Sequence, residues 1–228
     1  MKTWIIIALA LLNITLFMTP SLYMKEIFKK PSITGLLTIS TTANIPGIEG
    51  NTSCNFTLKK GWNLVAFNCF LTDNSIKNVL TSIDGKYAAL FTYLPNYDDK
   101  WKSYNPNLPN WVVQDLDNNL SRKLGYWIDM TNDANYSLNG TMRSQDFIDV
   151  SAGWNLVANP TNKTYNVSHG LQSIDGKYNI VYGYDATNQT WKAYKVNVVN
   201  ASGLNNLTPF RAYWVNMSDD GSIWLWDI

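Results

Sequence analysis

From residue 52 onward the apolar positions change period in a fixed order, and the order is run through twice. The stretches before and through GWNLVA, at 61–66 and again at 153–158, alternate or run apolar with β-forming residues and predict a hairpin in each pass. A helical period follows. Ile76, Val79, Leu80 and Ile83 fall at i, i+3, i+4 and i+7 behind Asp73 as the cap, and Val167, Leu171 and Ile174 repeat the stripe behind Thr164. Asp84-Gly85 and Asp175-Gly176 stop these helices, because glycine supplies the left-handed residue a helix end or tight turn needs. Strands are predicted at 87–93 and 178–184, then as short Trp-Lys-x-Tyr segments at 101–104 and 191–194. A polar loop leads to LGYWIDM at 124–130 or RAYWVNM at 211–217, and a last strand lies at 136–138 or 223–225.

The identities follow the pattern. SIDGKY occurs at 82–87 and 173–178, and the offset between matching motifs drifts only from 92 to 87 residues. The reading is of two tandem homologous modules, 52–141 and 145–228. Each is a mostly-β unit, either a β-sandwich or a partly open barrel, with one short helix. Residues 25–51 read as a linker or extra strand. Its core, 31–50, serves as a stalk, as an edge strand on the first module, or as a strand added to a neighbouring subunit.

Ahead of this, residues 4–18 are an apolar run behind Lys2, interrupted by Asn13 and Thr15, so residues 1–24 are expected to be a signal peptide or an N-terminal membrane anchor formed by 4–24. Either places the rest of the chain outside the cell. N-x-S/T triplets agree, beginning beyond the leader at Asn51, Asn55, Asn119, Asn135, Asn139, Asn162, Asn166, Asn188, Asn200, Asn206 and Asn216. The Asn, Ser and Thr content would supply only about 4 by chance, so these are expected to be N-glycosylation sites. Such density suits an archaeal or eukaryotic surface. Cys54 and Cys69 flank LKKGWN and are expected to form a disulfide across the predicted hairpin.

Composition removes most catalytic chemistry. The chain has one His (His169), two Glu (Glu26, Glu49) and a net charge of +1, so neither a His-based triad nor a nucleic-acid surface is indicated. No metal or cofactor site is expected. The alternate acids Asp115 and Asp117 before Asn119 lack the glycine and terminal Glu of a calcium loop. Asp84 and Asp175 read as turn residues rather than catalysts, and His169 reads as solvated.

The ordered set GWNLV, short helix, (D)GKY with a β run carrying Tyr-Asp, W-K-x-Y and GYW-[IV]-x-M resembles a module found in many archaeal and some bacterial secreted surface proteins, over about residues 57–228. There it accompanies S-layer, adhesion and other extracellular domains. The resemblance implies a structural or binding role without established chemistry. This chain departs from the pattern where Arg211-Ala212 stands in the second copy for Leu124-Gly125.

Ten Trp residues are the remaining candidates for chemistry, since indole faces stack on sugar rings. Trp62, Trp154, Trp127 and Trp214 read as module core. Trp101 and Trp191, set between polar residues, and Trp111, in a loop of the first module alone, are candidates for exposure, so a binding face is sought at Trp101, Tyr104, Trp111 and Trp191. The expectation is a non-catalytic, N-glycosylated extracellular protein with a structural or adhesive role in a cell envelope or filament. Its partners would be other surface proteins or copies of itself, and glycans are a further possible ligand. The alternative is a secreted carbohydrate-binding protein using exposed aromatics of the first module.

Overall fold

The computed structural model describes residues 52–69, 72–109, 111–116, 118–195 and 203–226. The expected leader and connecting segment lie outside the described residues, as do Asn51 and Asn200. Among the described residues no helix is long and apolar enough to cross a membrane.

The GWN motif builds a turn that satisfies itself. Gly61 and Gly153 take φ values of +87° and +90°, which a side chain resists. Two residues on, the buried Asn63 accepts the Lys59 N–H at 2.9 Å and donates from Nδ2 to the carbonyls of Lys59 at 2.6 Å and Gly61 at 2.9 Å. Asn155 does the same with Ser151 and Gly153, at 3.0, 2.6 and 3.1 Å. Each buried amide replaces the water that the turn's backbone groups would otherwise need.

This turn corrects the predicted hairpin. β1 (Thr52–Leu58) and β2 (Gly61–Val65) do not pair with one another, because the turn sends them into different sheets. β1 pairs antiparallel with β6 (Ala134–Gly140), and β2 with β5 (Tyr126–Met130). The Cys54–Cys69 disulfide does form, with Cα atoms 6.3 Å apart. It ties β1 to the chain leaving β2, not two rungs of one ladder.

The N-terminal half continues with α1 (Ile76–Val79), β3 (Tyr87–Tyr93) and β4 (Trp101–Tyr104), and its sheet runs β2-β5-β3-β4. The C-terminal half begins with β7 (Asp146–Val150), β8 (Gly153–Ala158), the two-residue β9 (Tyr165–Asn166) and α2 (Val167–Gly170). It ends with β10 (Tyr178–Asp185), β11 (Thr190–Lys195), the two-residue β12 (Asn206–Leu207), β13 (Ala212–Met217) and β14 (Gly221–Leu225). Its four-stranded sheet runs β8-β13-β10-β11, and β7 pairs with β14 as β1 does with β6. Both sheets carry a register break near the start of their third strand, at Tyr87/Ala89 and Tyr178/Ile180. The chain is mostly β, and among the described residues no sheet closes into a barrel.

Each half has its own core, in which the sheet, the two-stranded ribbon and the helical turn all contribute buried side chains. The predicted stripes are buried as expected, at Ile76, Val79, Leu80 and Ile83 and at Val167, Leu171 and Ile174. The caps differ. Ser75 and Asn166 cap the helices, while Asp73 accepts the Ser75 N–H at 2.9 Å and holds the cap itself. The tyrosines of the YW motifs enter the cores with their hydroxyls satisfied. Tyr126 Oη accepts the Ser121 N–H at 2.8 Å and Tyr213 Oη accepts the Thr208 N–H at 2.7 Å, while burial pushes both phenols up.

Candidate functional site

A third apolar cluster draws on both halves: Leu64 and Tyr93 from the first, Leu156, Ala212 and Trp214 from the second, flanked by half-buried Trp62's neighbour Trp127 and by Trp101, Trp154, Tyr182, Tyr184 and Trp191. Two exchanges build it. Trp214 of β13 sits against Tyr93 and Trp101 of the other half, with ring centroids at 5.1 and 5.7 Å. Trp127 of β5 sits against Tyr184 and Trp191, at 5.0 and 5.5 Å. All four contacts are edge-to-face, the arrangement that aromatic quadrupoles favour.

The backbone reciprocates. Ala66 N–H donates to the Phe210 carbonyl at 3.0 Å, and Ala158 N–H donates to the Lys123 carbonyl at 3.0 Å. Bridges Val65–Arg211 and Leu124–Val157 lie beside them. Motif-matched residues thus make matched contacts in both directions, which is the pattern of an isologous dimer realised within one chain. Near the centre, a Cβ on Gly125 would lie 2.6 Å from the Ala212 Cβ and 2.9 Å from Leu156 Cδ1. Only one of these two matched positions has room for a methyl group. That accounts for the difference between the two halves at Gly125 and Ala212.

The four expected binding residues do not converge on one open face. Trp101 and Trp191 are half-buried members of this junction, and Tyr104 is half-buried against the core of the N-terminal half. Trp127 and Trp214, expected in the module cores, belong to the junction instead. Trp111 stands apart with 82% of its surface exposed. Its loop is pinned to β4 by Asp115, whose Oδ1 accepts from Ser103 N–H at 2.6 Å and Ser103 Oγ at 2.9 Å. Among the described residues no three His, Cys, Asp or Glu side chains are grouped to hold a metal.

The asparagines divide sharply. Of the triplet asparagines described, Asn55, Asn119, Asn135, Asn139, Asn162, Asn166, Asn188 and Asn206 are exposed and Asn216 is half-buried. The buried asparagines are Asn63, Asn68, Asn155 and Asn159, and none begins a triplet that glycosylation can use. Asn159 precedes Pro160-Thr161, and proline in the middle position blocks the reaction.

Sequence reasoning missed three aromatics. Phe147, Trp224 and Trp226 project from the β7–β14 ribbon with 41%, 50% and 39% of their surfaces exposed. Their signal was the strand alternation itself: in SIWLW, Ile223 and Leu225 take the buried phase, which leaves both tryptophans on the outward one.

No family model, curated protein or solved structure matches the chain.

Proposed function

We propose that this is a non-catalytic, N-glycosylated extracellular protein, built from two homologous β modules fused into one unit, with a structural or adhesive role at a cell surface. The division of the asparagines carries the reading. Chance scattering of Asn would put some usable triplets inside, yet the interior asparagines carry none: Asn63 and Asn155 brace the two GWN turns, and Asn68 and Asn159 donate to buried backbone carbonyls. The motif set shared with secreted surface modules supports the same location, and the disulfide fits an oxidising compartment. The reciprocal junction gives such a protein stiffness, because rotating one half against the other would pull Trp127 and Trp214 from their notches. The partners on this reading are other surface proteins or further copies of the chain, and residues 4–24 either anchor it or are removed on export.

Peptide mapping by mass spectrometry of the protein purified from its own host tests the proposal. Glycans on most of the exposed triplets and none on Asn63, Asn68, Asn155 and Asn159 are the expected result. Unmodified asparagines throughout would overturn it. The alternative, sugar binding by the first module, retains Trp111 as its exposed ring.

A further inference from the structure

Because the junction joins homologous faces, each half also presents its face to the halves of other copies, and a few matched positions decide which of them fits. A residue that touches its own match lies on the axis relating the two halves. Gly125 and Ala212 do so, since Tyr126 matches Tyr213. A Cβ on Gly125 would lie 2.6 Å from the Ala212 Cβ, so two C-terminal halves paired this way would force two methyl groups far inside the roughly 3.5–4.0 Å of carbon contacts. Two N-terminal halves would leave the axis with neither methyl, and a void. Unlike halves place one methyl there, and it fits.

Lys123 and Phe210 are a second matched pair that discriminates. Lys123 Nζ crosses to the C-terminal half, 3.6 Å from Asp146 and 3.7 Å from the centroid of the Phe147 ring. Phe210 crosses the other way and stacks on Phe56 at 5.0 Å, beside the disulfide. Cys54 stands seven residues before Gly61 and Asp146 seven before Gly153, so these two are matched as well. Paired N-terminal halves would therefore set Lys123 against the disulfide without its carboxylate, and paired C-terminal halves would set the Phe210 ring against Asp146. Asn68 adds a third difference. Its amide donates to the carbonyls of Asn159 and Thr161 in the other half, at 2.7 and 3.3 Å, and its match is Pro160, which has no such donor.

The connection between the halves is short and has a definite turning point. Residues 141–145 join β6 to β7, and their contacts change sides part-way along. The Thr141 carbonyl accepts from Arg122 Nη1 at 2.6 Å, and Met142 is buried against Cys54 and Cys69. Arg143 instead bridges to Thr161, accepts the Asn162 N–H at 2.9 Å and pairs with Asp146 at 3.0 Å. A change of path at Met142–Arg143 separates the halves and leaves each core whole.

We propose that the junction is also an assembly interface: the N-terminal half of one copy takes the C-terminal half of a second, and the reverse contact closes a dimer with both junctions rebuilt between chains. The surface that fits is the one already seen within the chain. Every junction contact is kept and only the path at Met142–Arg143 changes, which is why exchange of a like element is a low-cost route to a dimer. A tether this short holds the halves of one chain at an effective concentration on the order of millimolar. The closed single chain therefore prevails in dilute solution, and exchange prevails where copies refold at high concentration or where a chain's own junction is spoiled. The inference concerns the junction alone and does not depend on glycosylation.

Two full-chain variants test it. Each is refolded from urea at high protein concentration with the disulfide left oxidised, alone and as an equimolar mixture, and masses are read by size-exclusion chromatography with light scattering. Gly125→Ala puts two methyl groups on its own axis and Ala212→Gly puts none there. Exchange between the two variants gives one methyl at each junction, as in wild type. The mixture is expected to yield about tenfold more dimer than either variant alone, with native mass spectrometry showing one copy of each. The double variant G125A/A212G carries the fitting pair within one chain and is expected to be as monomeric as wild type. A mixture no more dimeric than its components, or dimers in which a variant pairs with its own kind, would overturn the proposal. So would Gly125→Ala chains that stay unfolded by circular dichroism even when refolded with Ala212→Gly chains, because the exchanged junctions contain no clash.

Discussion

On the outer ribbon of the N-terminal half the outward positions include Asn55, Asn135, Ser137 and Asn139, and on that of the C-terminal half they include Phe147, Trp224 and Trp226, over backbones held by the matching Ser82 and Ser173. At the junction the reverse is true. Tyr93 and Tyr184, Trp101 and Trp191, and Trp127 and Trp214 are pairs of the same residue in the same role. At the centre of the junction Gly125 stands against Ala212, and only one of these two matched positions has room for a methyl group. A surface that must meet its own match is constrained at both ends at once, whereas two outward faces are free to diverge and take up different partners. The difference leaves the junction constrained from both halves and the two ribbons free to differ.

Breaking the junction should have the largest effect. Trp214 is 8% exposed and touches Tyr93, Trp101 and Trp154, so Trp214→Ala is expected to cost about 3–5 kcal/mol in urea unfolding. The matching Trp127→Ala, from a less buried position, should cost less. Equal costs would mean that the two exchanges are more alike than their burial. Reduction of the Cys54–Cys69 bond, which has no counterpart in the C-terminal half, comes next. Its separation of 15 residues corresponds to about 3 kcal/mol of loop-closure stabilisation. Loss of that stability should unfold the N-terminal half first, if the halves can part at all; a single shared transition would show that the junction makes them one cooperative unit.

The central pair gives a sharper test at smaller cost. Gly125→Ala should destabilise by about 1–3 kcal/mol through the 2.6 Å approach to Ala212, and Ala212→Gly in the same molecule should recover most of it. Additive costs would refute the shared-space account. The smallest expected effect is electrostatic. Lys192 lies 3.0 Å from Asp185, and hydrogen bonds from Lys192 and Asn188 hold that carboxyl at about 2. Because the folded value lies below the ordinary one, the stabilisation is present above about pH 4 and is lost as pH falls toward 2. For a pair near the surface it should not exceed about 1 kcal/mol, and Lys192→Met should flatten that part of the acid-stability profile.

Much of this was legible in the chain before folding. The strand and helix periods located the elements, the repeated glycines located the turns, and the cysteine spacing gave the disulfide, because each depends on neighbours close in sequence. The hairpin at LKKGWN was misread because local alternation cannot say which sheet a strand will join; the Asn63-braced turn decides that. The helix caps moved two residues, from Asp73 to Ser75 and from Thr164 to Asn166, since a cap is fixed by where the first turn docks on its core. What the sequence determined by itself was a β pattern run through twice, with its turns, its helical stripes and its disulfide. Only the tertiary structure decided which aromatics face inward, which face the other half and which face solvent. A tryptophan on a strand has the same period in all three cases, and its environment is set by surfaces that are remote in the chain and meet only when both halves are folded.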